Sequence, residues 1–155
     1  MSTRRATESD WQIVRALRLR GLAEDPASFG SRLEEEQANP EASWRSWIAA
    51  NAFFLGSRGG HDSGLLRVRR LTVDSFGIYS LWVAAEARRT GLGAELLSAA
   101  EAFAQHAGAA AVELSVVESA AAARALYERR GYERVGTEPG APGVLKLLLR
   151  KSLRP

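Results

Sequence analysis

No cysteine occurs anywhere in the 155 residues. Disulfides, Cys-ligated zinc, iron–sulfur clusters and a covalent cysteine nucleophile are thereby excluded. Histidine is almost as scarce, with only His61 and His106, so no metal site is expected. No apolar run approaches the roughly 20 residues that span a bilayer, and the opening "MSTRRATESDWQ" lacks the apolar stretch of a secretion signal. A cytoplasmic protein without membrane contact is the expectation. Lysine is confined to Lys146 and Lys151, and the arginines are scattered, with no basic run of five. The net charge of +3 and pI of about 9.8 therefore read as a solvated surface rather than a nucleic-acid footprint.

What is present suits one globular domain. With 46% apolar residues, 1–155 can bury one core, and no linker or internal repeat divides it. Ser9 and Gln12 have capping-box spacing, and Ile13, Val14, Leu17 and Gly21 share a helical face, which predicts a helix over about Asp10 to Leu22. "AEDPASFGSRLEEEQANP" reads as an irregular connection with a helical turn near Glu34. Asn39 and Pro40 then act as N-cap and first residue of a helix carrying Trp44, Trp47 and Ile48. "AFFLGS" and "GLLRVRRLTV", joined by "RGGHD", predict a hairpin, and "FGIYSLWV" a further strand.

After Gly91 a helix places Leu92, Leu96, Leu97, Ala100 and Phe103 on one face and ends near Gly108. "AAVELSVV" follows as a strand, Ser119 caps a helix that stops at Gly131, and "YERVG" and "VLKLLLR" close the chain as strands. The expected order is strand, helix, helix, three strands, helix, strand, helix, two strands. Phe76 to Val83 and Ala110 to Val117, linked through a helix, should be parallel neighbours. The fold class is α/β (α+β): one mixed, mostly antiparallel twisted sheet of about six to seven strands, with about four helices on its two faces. An exposed edge at "VLKLLLR" would pair across a homodimer, and an internal strand explains its composition equally well.

The segment "WVAAEARRTGLGAELLSAAEAF" passes from strand to helix through Arg88, Arg89, Thr90, Gly91, Leu92, Gly93 and Ala94. A helix N-terminus carries unpaired N–H groups and about half a positive charge. Glycines let the backbone approach a bulky phosphate, and the two arginines add charge-assisted donors. The turn lacks the Gly-Lys-Ser/Thr ending of a P-loop. It also lacks a Rossmann fingerprint, because Leu96 stands where a third small residue belongs. A ligand-free tight turn accounts for the two glycines as well as a pyrophosphate site does.

The wider pattern is more specific. Arg88-x-x-Gly91-x-Gly93 after "LWVAAEA", then helix, strand and "AAARALYERRGYERVG", resembles the GNAT superfamily of acyl-CoA-dependent N-acyltransferases of bacterial type. The resemblance extends over the whole chain, with 81–94 and 123–132 carrying most of its specificity. It implies acetyl-CoA as co-substrate: the turn Arg88–Ala94 would bind the pyrophosphate, and the main chain of Leu81, Trp82 and Val83 the pantetheine arm. It further implies that this strand splays from its parallel neighbour, and that Tyr127 is the general acid. The chemistry fits independently, since a phenol with an ordinary pKa near 10 is protonated at neutral pH and can donate to a departing thiolate. A core tyrosine beside Leu126 is the plainer reading of Tyr127.

Three positions depart from the family pattern. Ala120 replaces an asparagine seven residues before Tyr127, Ser115 stands where the ribosomal-protein acetyltransferases have glutamate, and Ala85 replaces a proline. With no cysteine, direct attack in a ternary complex is the expected route. No general base is evident: Glu113, Asp74 and Glu118 read first as solvated carboxylates, while Tyr79 and Ser80 could hold a relaying water. This leads us to expect an acceptor amine of low pKa, or proton loss through water. The resemblance also implies that the acceptor, an amine-bearing small molecule or a peptide N-terminus, would meet Phe29, Glu34, Glu35, Glu36, Trp44 and Trp47 of the N-terminal helices and their loop, residues that also read as wet helix face and core. The functional alternative is a coenzyme A-binding sensor without turnover.

Overall fold

The computed structural model describes residues 1–26 and 33–154. Strands β1 (Ser2–Arg5), β2 (Ala52–Arg58), β3 (His61–Arg70), β4 (Ser75–Val83), β5 (Ala111–Val117), β6 (Glu133–Pro139) and β7 (Leu145–Ser152) form one sheet in the order β1-β2-β3-β4-β5-β7-β6. Among the described strand pairs only β4 and β5 run parallel. Among the described residues the α-helices are α1 (Trp11–Glu24), α2 (Leu33–Gln37), α3 (Glu41–Ala50), α4 (Leu92–His106) and α5 (Ala121–Arg129), one more than the sequence pattern suggests. The extra helix is the turn anticipated near Glu34.

Alternation along the strands divides the core in two. On one face Leu66, Val68, Phe76 and Ile78 pack with Leu92, Leu96, Leu97 and Ala100 of α4. On the other, Phe53, Leu55, Leu65 and Trp82 pack with Val14 and Leu17 of α1 and Trp44 and Ile48 of α3. Period 2 in the strands thus meets period 3.6 in the helices on both sides.

Local caps differ from the spacing-based reading. The reciprocal cap is formed by Thr7 and Asp10 rather than Ser9 and Gln12, across a short 3-10 turn at Glu8–Asp10. Asp10 accepts from the Thr7 amide at 2.8 Å and from both terminal nitrogens of Arg4 at 2.9 and 3.0 Å, an anchoring that Gln12 cannot match. Pro40, not Asn39, is the N-cap of α3, and the Asn39 carbonyl instead accepts from Trp44 Nε1 at 3.2 Å. Ala120 rather than Ser119 precedes α5. The apolar C-terminal strand β7 lies inside the sheet, between β5 and β6, so it offers no edge for dimer pairing; the edges are β1 and β6. Phe29 lies outside the described residues.

Candidate active site

The site begins where two parallel strands part. β4 and β5 pair only at Ser75↔Ala111, Phe76↔Val112 and Gly77↔Glu113, although β4 continues to Val83 and β5 to Val117. The cause lies in β4, where Tyr79 faces Arg67 and Trp82 faces Leu65, three steps against two on β3. The extra residue is a bulge, with Ser80 in the left-handed region at φ 58°. A bulge bends its strand and sharpens its twist. Beyond Gly77 the strands diverge, leaving a cleft of about 1140 Å³ that passes through the sheet.

Nine of the ten residues anticipated for coenzyme A line this cleft: Leu81, Trp82, Val83, Arg88, Arg89, Gly91, Leu92, Gly93 and Ala94. The tenth, Thr90, donates its hydroxyl to the Ala87 carbonyl at 2.6 Å and so braces the turn. Gly91 is the N-cap of α4 with φ 90°, a conformation that strains any L side chain. Lacking a side chain, it leaves the first-turn amides of a 15-residue helix without a side-chain cap. Gly93 is different. A Cβ there would meet only Leu126 at 3.4 Å and Val83 at 3.8 Å, contacts the protein itself tolerates. The two glycines thus differ: the backbone of the turn requires Gly91, whereas at Gly93 the fold itself has room for a Cβ.

The side chains on this rim do less than their number suggests. Arg88 donates from Nε to the Val83 carbonyl at 2.9 Å, and Arg89 is exposed with φ 60°. Leu92 is sunk in the core at 1% exposure. The Trp82 ring is buried in the cluster on the α1 side, beneath Arg20.

Tyr127 enters the cleft from α5. It is buried, and burial pushes its phenol up to about 12. Among the described residues its hydroxyl has no hydrogen-bond partner, and its ring packs edge-on against Tyr132, centroids 5.8 Å apart. Tyr132 is fixed in turn by Glu101, which accepts from its hydroxyl at 2.8 Å and from Arg130 and Lys151 at 3.0 Å each.

On the opposite side of the sheet, under α1 and α3, the cleft is lined by Arg18, Arg67, Tyr79 and Ser80. Arg18 holds Glu36 through Nε and Nη2 at 2.8 and 2.9 Å and donates from Nη1 to Ser80 Oγ at 2.8 Å. Glu36 is thereby neutralised and Trp44 is buried in the core, while Trp47 stacks with the arginines. None of the carboxylates considered as bases, Glu113, Asp74 or Glu118, lines the cleft; Glu113 is engaged by Arg150. Glu138 of β6 does line it, accepting from Ser115 at 2.6 Å. Sequence patterns missed Arg18, Arg67 and Glu138, since only tertiary contact joins them. Among the described residues no group of three or more His, Asp or Glu is placed to hold a metal.

A profile of the acetyltransferase (GNAT) family matches residues 18–132. No curated protein matches the sequence. Among solved structures, yncA from Salmonella typhimurium with its cofactor acetyl-CoA superposes at a TM-score of 0.83, with 16% identity, over 100% of this chain and 95% of that one. The ribosomal-protein-alanine N-acetyltransferase of Brucella melitensis gives 0.80 at 20% identity, over 98% and 99%. The PaiA N-acetyltransferase of Thermoplasma acidophilum, in complex with coenzyme A, gives 0.78 at 14% identity, over 98% and 99%. Sheet order, splay and the profile match over 18–132 all agree: the chain belongs to the acetyltransferase (GNAT) family.

Proposed function

We propose that the protein transfers an acetyl or similar short acyl group from coenzyme A to a primary amine, by direct attack in a ternary complex, with the whole chain acting as one catalytic unit. The observation that carries this reading is a coincidence in one cleft. The N-terminus of α4 without a side-chain cap, the stretch of β4 past Gly77 that pairs with β3 but not with β5, and the Tyr127 side chain all open onto it.

The first-turn amides of α4, opened by Gly91 and Gly93, suit a pyrophosphate. The β4 groups past Gly77 suit an extended, amide-bearing arm. Bound acetyl-CoA supplies an acyl carbon activated by a thiolate leaving group. Tyr127 would donate a hydrogen bond to that sulfur. With its phenol near 12 and an ordinary thiol near 8.5, complete transfer from Tyr127 alone is uphill. The attacking nitrogen loses one proton while sulfur gains one, so the Tyr127 hydroxyl can relay a proton rather than spend its own. Tyr79 and Ser80, both lining the cleft, suit a water that takes part in the relay.

The test is a thermal-unfolding titration with acetyl-CoA followed by thiol-release assays over an amine panel. A ligand at about 100 times its Kd adds roughly 2.7 kcal/mol to stability. Stabilisation with acceptor-dependent thiol release supports the transferase. Stabilisation without it leaves the sensor, and no stabilisation removes both.

A further inference from the structure

The acceptor side of the cleft holds a cation that the protein has left unmatched. Arg67 lines the cleft and its guanidinium lies over two rings, 5.2 Å from the Trp47 centroid and 4.6 Å from that of Tyr79. Its one hydrogen bond among the described residues goes to a neutral amide, Nη1 to Asn51 Oδ1 at 3.1 Å. Nε is sealed from solvent without an acceptor. The acid close enough to be felt, Glu36, is already held on two nitrogens by Arg18. Burial, then Arg18 and Arg69, pull the Arg67 pKa down, opposed by Tyr79 and Glu36.

A partly buried guanidinium without a carboxylate is costly in a folded protein, and an anionic ligand removes that cost. Its planar fork also favours carboxylates geometrically. In the strand register Arg67 sits opposite Tyr79, next to the Ser80 bulge where the sheet opens. A group held on Arg67 is therefore one strand away from the gap. We infer that the acceptor is an amino acid-like molecule whose carboxylate docks on Arg67 while its amine points into the splay. This rests on the transferase reading above and narrows its substrate class; it sets aside the cationic acceptor that the glutamates in the sequence invite.

The experiment uses the full chain. First, the acetyl-CoA titration decides the parent reading independently. Then thiol release is measured for L-amino acids, each beside its α-carboxamide and its decarboxylated amine. Calorimetry in the presence of coenzyme A compares N-acetyl amino acids with their amides. The expected result is a preference for the free acids of about tenfold or more in kcat/KM, with tighter binding of the acetylated acids. In Arg67→Gln the acid-to-amide ratio collapses toward one, while the acetyl-CoA thermal shift persists. Arg67→Lys retains part of the preference. Equal rates or binding for acids and amides in the unaltered protein would overturn the inference while leaving the transferase intact. So would acetyl-CoA binding combined with no binding of any acetylated acid. An absent acetyl-CoA shift would remove the parent reading and this one with it.

Discussion

Arg18, on the first helix, donates to the hydroxyl of Ser80, one of two non-glycine residues with positive φ among those described. A left-handed serine costs about 1–2 kcal/mol and persists only when its surroundings hold it. The Arg18 link is one such hold, and it ties α1 to the strand bulge where the sheet opens.

Replacing Arg18 by methionine should therefore act twice. It leaves Glu36, 12% exposed, without its bidentate partner, which costs about 3 kcal/mol and lowers Tm. It also frees Ser80, so kcat should fall further than the acetyl-CoA affinity. Adding Glu36→Gln should restore much of the Tm and little of the kcat; recovery of both would show that Ser80 needs no anchor.

The two glycines of the turn should separate cleanly. Gly91→Ala, forced to φ 90°, should lose about 1–2 kcal/mol of stability. Gly93→Val has no such backbone strain, and should raise the Kd for coenzyme A about tenfold or more by crowding the helix end. Calorimetry on both variants decides; equal coenzyme A affinity in Gly93→Val and the parent protein would remove the anion site.

Tyr127→Phe should keep coenzyme A binding and lower kcat by about 10²-fold or more. Burial raises the folded-state pKa from 10 to about 12. Stability linked to the protonated phenol is therefore complete below about pH 10 and is lost as pH rises from there toward 12. In the parent protein the phenol should impose no alkaline limb on kcat/KM below about pH 10. A limb near pH 8 that disappears in Tyr127→Phe would contradict this.

Glu101 is 7% exposed and receives donors from Tyr132, Arg130 and Lys151. Glu101→Leu strands two cations and a phenol, and should cost about 3 kcal/mol, on the order of 10 °C in Tm. Because Tyr132 packs on Tyr127, kcat should drop even at temperatures where the variant is folded. Thermal unfolding beside initial rates at 15 °C tests this.

The sequence was readable where function is local. Arg88, Arg89, Gly91 and Gly93 lie within six residues, so their spacing marked the turn as a candidate anion site, while Tyr127 was reached only through the family resemblance of its segment. Trp82 was reached as a backbone position, and its ring turned out to belong to the core beneath α1. Arg67 looked like any arginine of an alternating strand, because its significance depends on Trp47, Tyr79 and the prior engagement of Glu36 by Arg18. Helix caps misled by one or two residues: Asp10 recruited Arg4 from the neighbouring strand, a tertiary contribution that no capping spacing encodes.

Only three residue pairs join Ser75–Gly77 to Ala111–Glu113, and every other ladder bond in the sheet lies to one side or the other of that seam. The molecule is in effect two leaves, β1 to β4 and β5 to β7, stitched at one end and spanned by α4. Leaves joined in this way can breathe at the unstitched end without breaking a ladder. An extended ligand lodged between them would serve as an eighth strand, so amide exchange along Ile78–Val83 would report occupancy directly, even where no reaction takes place.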